Sequence, residues 1–300
     1  MRSRAWGAAA LLAACAAGGS GTPFDGEAAL GYVRTQVAFG PRIPNTDGHR
    51  RAGDWIQAQL ERSADLVEVQ AFTHVTAAGD TLQLRNFIGR FRPDVTERVL
   101  LLAHWDTRPR ADQSPNLGDQ QRPVPGANDG ASGVAVLLGV ADVLAGTPPS
   151  VGVDLLFVDG EDYGRFSGVD GGIGPDVLLG SRHFAATLAD GRVPMYAVLF
   201  DMVGDADLRI YQEGYSVSGA PEVVTRVWGA ARDLGYEDVF QPTVRYTITD
   251  DHIPLLDRGI RAIDVIDYDY PPWHTVEDTP DKVTARSLKI VGDVAVALVR

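Results

Sequence analysis

The stretch Val153-Asp154-Leu155-Leu156-Phe157-Val158-Asp159-Gly160-Glu161-Asp162 joins an apolar run to two adjacent acids. The run is short and nearly continuous, which is typical of a strand buried on both faces of a parallel sheet. Adjacent carboxylates at the end of such a strand repel each other where water is scarce. They are usually kept only if a cation neutralises one acid while the other handles protons. The stretch therefore predicts an α/β protein with a metal site at the end of a strand.

Further apolar runs predict strands at Val99–Ala103, Tyr196–Phe200 and Ala262–Ile266, with a weaker candidate at Leu208–Tyr211. Leu66–His74 and Thr81–Phe91 are rich in β-branched residues and predict a hairpin. Segments with helical spacing separate these strands, and they are Glu27–Phe39, His49–Ser63, Ser132–Leu144, Ser181–Leu188, Pro221–Leu234 and Arg286–Val299. The alternation predicts a mixed, mostly parallel central sheet with helices on both faces and the hairpin at one edge.

The composition of the 300 residues is that of an ordinary globular chain, with 45% hydrophobic and 22% charged residues. No internal repeat and no Ser/Gly linker divides the body of the chain, so we expect one α/β domain over residues 27–300. The 27 basic and 40 acidic residues give a formal net charge of −13. This charge argues against nucleic acid and against an anionic membrane surface as partners.

The first residues have the features of an export signal. Arg2 and Arg4 precede an apolar stretch that is too short to span a bilayer stably. Leu12-Ala13-Ala14-Cys15 resembles the bacterial lipobox, after which the signal is cleaved and the cysteine is lipidated. The alternative is a plain secretory signal with a chance cysteine. We therefore expect a signal over residues 1–15, a tether over residues 16–26, and an exported lipoprotein of the bacterial cell envelope that contacts the membrane only through Cys15.

Polar side chains with metal-ligand chemistry follow four of the predicted strands. His104, the pair Glu161-Asp162, Asp201 and His274 all come after apolar runs, and Asp129 precedes a predicted helix. In open α/β sheets, ligands bind at the carboxyl ends of the strands. Histidine and carboxylate ligands without cysteine suit zinc or another divalent ion. No H-E-x-x-H motif is present, so the fold itself must assemble the site.

Seven motifs occur in a fixed order along the chain. They are Ala103-His104-Trp105-Asp106-Thr107-Arg108-Pro109, Gly126-Ala127-Asn128-Asp129-Gly130-Ala131-Ser132-Gly133, Asp159-Gly160-Glu161-Asp162-Tyr163-Gly164, Leu179-Gly180-Ser181-Arg182-His183, Asp201-Met202-Val203-Gly204, Asp250-Asp251-His252-Ile253-Pro254 and Trp273-His274-Thr275. Together they resemble the zinc aminopeptidase family that also contains the glutaminyl cyclases. The resemblance runs from about Phe39 to the C-terminus and implies an aminopeptidase-like fold.

The resemblance implies two competing reactions. The aminopeptidases bind two metals, and their ligand positions correspond to His104, Asp129, Asp162, Asp201 and His274, all of which are filled here. The cyclases bind one zinc through the equivalents of Asp129, Asp162 and His274. His104 and Asp201 are then the ligands of a possible second metal.

Three neighbouring features resemble the cyclases, above all the bacterial members of the animal-type group. Asp250-Asp251-His252 replaces the Ser-Asp-His of aminopeptidases, Trp273 replaces a tyrosine, and Arg108-Pro109-Arg110-Ala111-Asp112 forms a long loop. The preferred hypothesis is a glutaminyl-peptide cyclotransferase, which converts the N-terminal glutamine of a peptide or protein to pyroglutamate and releases ammonia. A two-zinc aminopeptidase is the first alternative, and a non-catalytic binding domain on the same fold is the second.

The cyclase hypothesis assigns a role to each residue. Zinc at Asp129, Asp162 and His274 polarises the side-chain amide, and Glu161 takes a proton from the amine and delivers one to ammonia. Asp201 and Asp251 hydrogen-bond to the amine, or to Glu161 and the leaving group. Trp273 forms an apolar wall that folds the glutamine side chain for attack.

Several of these residues have a plainer interpretation. Asp129 could cap the following helix, Asp106 could orient a ligand imidazole, and Glu161 and Asp162 could themselves cap a helix. Four other histidines are not expected to bind metal. Of these, His49 and His74 are predicted to be surface residues, while His183 and His252 are assigned to a structural turn and to packing beside the acid pair.

Overall fold

A computed structural model describes residues 23–166 and 173–300 of the chain. The predicted export signal, Cys15 and residues 16–22 of the predicted tether lie outside the described residues. Residues 23–26 do not belong to a tether, because Phe24 is buried in the core and Asp25 caps the first helix. Within the described ranges, no helix is both long enough and apolar enough to cross a membrane.

The central sheet has six strands and is mixed. Its strands, in chain order, are β1 (Leu66–Val75), β2 (Thr81–Phe91), β3 (Arg98–His104), β4 (Gly152–Val158), β5 (Tyr196–Asp201) and, after two strands described below, β8 (Ala262–Ile266). The spatial order is β1-β2-β4-β3-β5-β8. β1 and β2 form the predicted antiparallel hairpin at one edge, β2 pairs antiparallel with β4, and the remaining neighbours are parallel. The predicted single α/β domain with a mostly parallel sheet is confirmed.

Helices cover both faces of this sheet, as predicted. They are α1 (Gly26–Ala38), α2 (Asp47–Ser63), α3 (Ala131–Gly146), α4 (Leu179–Thr187), α5 (Gly214–Gly219), α6 (Pro221–Asp233), α7 (His252–Asp257) and α8 (Ala285–Val299). The larger core lies on the face covered by α1, α2, α3, α6 and α8. On the opposite face, α4 and α7 contribute Phe184 and Leu255 to a smaller core. Every residue of β3, β4 and β5 is buried, which explains their continuous apolar runs.

A second, two-stranded sheet lies outside the sequence prediction. β6 (Ile210–Glu213) corresponds to the weak strand candidate Leu208–Tyr211 but begins and ends two residues later. It pairs in parallel with β7 (Phe240–Tyr246). β7 was missed because most of its residues are exposed and Pro242 interrupts its pattern. α5 and α7 were also missed, since six residues are too few to show a helical period.

Three parallel strands bring their carboxyl ends to one edge of the sheet. His104 is the last residue of β3, Asp201 is the last residue of β5, and Glu161 follows β4 by three residues. Asp129 precedes α3, and His274 lies in the loop after β8. These five residues come from separate segments of the chain, so the fold alone assembles the site.

Candidate active site

Two triads of metal-ligand side chains meet at the carboxyl edge of the sheet. His104, Asp129 and Asp201 form one triad, and Asp129, Asp162 and His274 form the other. Within each triad the ligand atoms lie within 4.8 Å of one another, and all five residues are buried. Asp129 belongs to both triads, so its two carboxylate oxygens face different partners. The structure thus brings together every residue that the sequence proposed as a metal ligand.

The first triad is closed by a hydrogen bond between His104 and Asp201. His104 Nε2 lies 3.1 Å from Asp129 Oδ1 and 3.2 Å from Asp201 Oδ1. Burial disfavours the imidazolium, but the carboxylates of Asp106, Asp129 and Asp201 raise the pKa of His104 well above its ordinary value. The neighbouring carboxylates thus favour the protonated form of His104.

The second triad is more open. His274 Nε2 lies 3.4 Å from Asp162 Oδ1 and 3.6 Å from Asp129 Oδ2. Asp162 Oδ2 is buried and has no hydrogen-bond partner among the described residues. An unpaired carboxylate oxygen in the interior is costly unless a cation meets it. Two carboxylates and one imidazole also match the ligand set of catalytic zinc, so the residues present fit a zinc ion here.

Glu161 has the properties of a proton carrier. It lines the cavity, is 6% exposed, and its Oε2 lies 3.9 Å from His104 Nδ1. Burial and the nearby charges of Asp162 and Asp250 raise its pKa well above the ordinary range. Asp162 behaves differently. Burial acts to raise its pKa, but His274 and Arg108 lower it to about 2. The two adjacent acids thus have opposite protonation preferences, as base and ligand require.

Two further carboxylates hold the backbone of the site in place. Asp106 accepts hydrogen bonds from the backbone N–H groups of Glu161 and Asp162, at 3.0 and 3.3 Å. Asp278 accepts from the N–H groups of Asn128 and Asp129, at 2.8 and 3.1 Å. Asp106 Oδ1 lies 3.6 Å from His104 Nδ1, so its contacts are chiefly with backbone rather than with the imidazole. Sequence reasoning missed Asp278, which has no local motif.

Two residues at the site, His274 and Gly130, have positive φ angles, outside the common α and β regions. His274 has φ of 53°, a left-handed value that costs of order 1–3 kcal/mol for a residue other than glycine. Gln113 donates its N–H to the carbonyl of His274 at 3.1 Å, which helps to hold this conformation. Gly130 has φ of 90°, and a Cβ there would lie 2.7 Å from the carbonyl oxygen of Asp106. Gly130 is the N-cap of α3, so Asp129 does not cap that helix and its side chain is available to the site.

Asp250 and Asp251 lie at different depths. Asp250 lines the cavity, and burial together with the charge of Asp201 raises its pKa well above the ordinary value. Asp251 is fully buried behind it, and its Oδ1 accepts a hydrogen bond from Ser181 Oγ. Burial raises the pKa of Asp251 to about 7. The sequence prediction gave Asp251 a hydrogen bond to the substrate amine, or to Glu161 and the leaving group, whereas in the structure Asp250 and not Asp251 lines the cavity.

Trp273 forms part of an apolar wall. Its ring stacks on His274 at 4.0 Å between ring centroids and meets Tyr268 at 5.3 Å. Met202 and Ile266 belong to the same apolar cluster. The wall and the acids line one cavity of about 1190 Å³, which also extends past Tyr215 and Leu256. This volume exceeds what a single amino acid needs, so the cavity can hold several residues of a peptide.

The remaining histidines stay outside the site. The prediction that His49 is a surface residue is wrong, because it is buried, bonds to Asp159 at 2.9 Å and stacks on Trp105. His74 is partly buried and bonds to Asp176 at 2.8 Å. His183 stacks on Phe72, and His252 lies 3.2 Å from Glu213 Oε2.

The sequence model of a known family, described as Peptidase family M28, matches residues 86–299 of this chain. This range includes all of the site residues described above. The chain belongs to peptidase family M28. Its relatives carry two different activities in their names, glutaminyl-peptide cyclotransferase and aminopeptidase. The bovine glutaminyl-peptide cyclotransferase is 27% identical over 276 residues, covering 81% of this chain and 73% of the relative.

Solved structures similar to this chain are likewise described either as a glutaminyl cyclase or as a Zn-dependent exopeptidase. The Bacteroides thetaiotaomicron glutaminyl cyclase is similar to this chain with a TM-score of 0.89 and 36% identity, covering 93% of this chain and 99% of the other. A Zn-dependent exopeptidase from Parabacteroides distasonis has a TM-score of 0.88 and 37% identity, covering 92% and 97%. The M28 fold and a zinc-dependent enzyme family are therefore established, while two reactions remain for this chain.

Proposed function

We propose that this M28 enzyme is a glutaminyl-peptide cyclotransferase that uses one zinc ion. It converts an N-terminal glutamine to pyroglutamate and releases ammonia. The observation that carries the proposal is the inequality of the two triads. In the triad of Asp129, Asp162 and His274, the buried Asp162 Oδ2 has no hydrogen-bond partner among the described residues, whereas in the other triad His104 Nε2 is hydrogen-bonded to Asp201 and lies 3.1 Å from Asp129 Oδ1.

This inequality favours cyclisation over hydrolysis. A two-metal peptidase needs both triads free to hold an ion, and the resemblance of the motifs assigns one zinc to the cyclases. In the triad of His104, Asp129 and Asp201, the hydrogen bond between His104 Nε2 and Asp201 already gives one of the two carboxylates a partner. The triad of Asp129, Asp162 and His274 still requires a cation.

The residues around the triads supply the steps of cyclisation. When bound by Asp129, Asp162 and His274, zinc would polarise the side-chain amide carbonyl of the substrate. Glu161, whose pKa is raised by burial, takes a proton from the attacking α-amine as the new carbon–nitrogen bond forms. Glu161 then delivers that proton to the departing nitrogen, which leaves as ammonia. One residue thus serves as base and acid within a single turnover.

Two further acids that line the cavity would position the amine. Asp201 and Asp250 both line the cavity and can accept hydrogen bonds from the α-amine. Asp251 supports Asp250 from behind, since the backbone N–H of Asp251 donates to Asp250 Oδ1 at 2.6 Å. Trp273 closes the other side and folds the glutamine side chain toward the amine. Holding both reacting groups in one molecule of substrate at attack distance supplies much of the rate enhancement.

A two-zinc aminopeptidase remains the second candidate, and two observations favour it. All five ligand positions are filled and lie together at the site. In addition, the similar Parabacteroides distasonis protein is described as a Zn-dependent exopeptidase. In that reaction Glu161 would activate a water molecule for attack on the peptide bond.

Metal counting tests the one-zinc proposal. Protein purified in zinc and dialysed is expected to contain one zinc per chain by elemental analysis. Asp162→Asn should lose that zinc, and His104→Gln should keep it, because His104 belongs to the closed triad. Two zinc ions per chain, one of which disappears in His104→Gln, would instead support the aminopeptidase.

We also propose that the protein is exported and held to the bacterial cell envelope through lipidated Cys15, with peptide or protein N-termini as its substrates. Incorporation of a labelled fatty acid tests the anchor. Label on the wild-type protein that disappears in Cys15→Ser supports it, while an unlabelled wild-type protein rejects it.

A further inference from the structure

Among the described residues, Arg108 is the only arginine that forms an ion pair with a predicted metal ligand. Its Nη1 donates to Asp162 Oδ1 at 2.6 Å, and its Nε and Nη2 donate to the two carboxylate oxygens of Asp112, at 2.9 and 2.7 Å. The Arg108 side chain is 7% exposed. Its planar fork is therefore held on one side by Asp112 and aimed at Asp162 on the other.

The hydrogen bond from Arg108 makes the surroundings of the two Asp162 carboxylate oxygens different. Arg108 occupies Oδ1, while Oδ2 is buried without a hydrogen-bond partner among the described residues. A free aspartate can turn about its side-chain bonds and offer either oxygen, or both, to a metal. Asp162 cannot do so without breaking a short, charge-assisted hydrogen bond. The bond therefore fixes the rotation of the Asp162 carboxylate, with Oδ1 held between Arg108 and His274 Nε2, which lies 3.4 Å away, and with Oδ2 left unpartnered.

The pair of Arg108 and Asp112 also lies close to His274, another ligand of the same triad. Asp112 Oδ1 lies 3.7 Å from His274 Nδ1, on the side of the ring away from Asp162. Arg108 also donates to the carbonyl oxygen of Gly164 at 3.1 Å, which fixes it to the loop after Asp162. Within residues 23–166 and 173–300, no arginine or lysine forms an ion pair with Asp201, whose partner is His104. The support is thus confined to one of the two triads.

We propose that Arg108 is a positioning residue that, with Asp112, orients Asp162 so that one oxygen is presented to zinc. The inference rests on the proposed zinc site but not on whether the enzyme cyclises or hydrolyses. Electrostatics alone gives the opposite expectation, because a guanidinium beside a divalent ion repels it and its removal should tighten binding. If removal of Arg108 weakens zinc binding, its orientation of Asp162 outweighs charge repulsion. If removal tightens zinc binding, charge repulsion outweighs orientation.

The test measures the zinc dissociation constant at neutral pH by competition with a chromogenic chelator. Arg108→Met is expected to raise that constant about 10- to 100-fold, the usual effect of losing a group that orients a metal ligand. Arg110→Met is the matched control, because Arg110 is exposed on the same loop, and its zinc affinity should not change. Unchanged or tighter zinc binding in Arg108→Met would overturn the proposal.

Two milder variants keep the test decisive if Arg108→Met does not fold. Arg108→Lys keeps the charge but lacks the planar fork, so it should also bind zinc more weakly, and wild-type affinity in this variant would contradict orientation. Asp112→Asn should weaken binding in the same direction, and its effect should not add to that of Arg108→Lys. Far-UV circular dichroism of the zinc-free proteins establishes that each variant is folded. A wild-type protein without measurable zinc affinity would reject the zinc site itself, whereas normal wild-type affinity with no change in the variants rejects Arg108 alone.

Discussion

The carboxylate of Asp106 accepts the backbone N–H of Glu161 at 3.0 Å. Its second oxygen accepts the N–H of Asp162 at 3.3 Å, so one buried side chain anchors both members of the acid pair. The pair therefore does not depend on its own side chains for its placement. Glu161 can exchange a proton, and Asp162 can bind a cation, while their backbone stays fixed.

Asp106→Asn tests this anchor. The amide has one acceptor oxygen instead of two, and its NH₂ group faces a backbone N–H that it cannot bond. Leaving that buried donor unpaired should lower the free energy of unfolding by about 1–3 kcal/mol. Urea denaturation followed by tryptophan fluorescence measures the change. Asp94→Asn, at an exposed position, is the control, and equal stabilities of the two variants would show that Asp106 does not anchor the pair.

Glu161→Gln should abolish the reaction and leave zinc in place. Glutamine has the same shape but cannot take up and release a proton, so kcat is expected to fall about 10²- to 10⁴-fold. Zinc content should match the wild type, because Glu161 belongs to neither metal triad. Steady-state kinetics and elemental analysis on the same preparation provide both readings. Loss of zinc from this variant would show that Glu161 is a ligand rather than the base.

Trp273→Ala should slow turnover without removing the metal. The indole stacks on His274 and faces the cavity, so its loss widens the space in which the glutamine side chain folds. A fall in kcat of at least about tenfold is expected, since small losses of orientation carry large rate costs. Trp273→Phe keeps a flat apolar ring and should retain most activity. If both variants lose activity equally, the wall requires the indole itself rather than an apolar surface.

The central sheet was predicted well from the sequence, because each strand that is buried on both faces is a continuous apolar run. β3, β4 and β5 are buried on both faces and read as continuous apolar runs, and the ligands follow them directly. β7 has mostly exposed residues, so no apolar pattern marks it. Its existence depends on the neighbouring β6, which local sequence cannot show.

Parts of the site could not be predicted for the same reason. Asp250 and Asp251 are adjacent and chemically identical, and only the turn into α7 decides which of them meets the cavity. The contact between Arg108 and Asp162 joins residues 54 positions apart. Asp278 holds Asp129 across 149 positions. Sequence motifs identify the metal ligands. The residues that orient those ligands are distant in sequence and are brought beside them only by the fold.

Asp264 should make the stability of the protein depend on pH. It is fully buried in β8, neither of its carboxylate oxygens has a hydrogen-bond partner among the described residues, and burial with the charge of Asp250 raises its pKa well above the ordinary value. The folded state therefore favours the protonated acid. Its contribution to stability is fully present below the ordinary aspartate pKa of about 4 and is lost as pH rises through the raised value.

Asp264→Asn removes this titration, because an amide stays neutral throughout. The fall in melting temperature between pH 5 and pH 9 should be smaller in the variant than in the wild type. Asp94→Asn serves as the exposed control and should follow the wild-type curve. Thermal melts at pH 5, 7 and 9 measure the difference, and parallel curves for Asp264→Asn and wild type would contradict the buried neutral acid.

The most direct test of the central claim is a competition between the two reactions in zinc-loaded protein. A glutamine-initiated peptide and a leucine anilide are incubated with the wild type, with Glu161→Gln as the inactive control. The one-zinc cyclase predicts that mass spectrometry finds the first peptide 17 Da lighter, the mass of ammonia, and that the anilide stays intact. Release of the anilide chromophore, with the glutamine peptide unchanged, would contradict the account and identify an aminopeptidase.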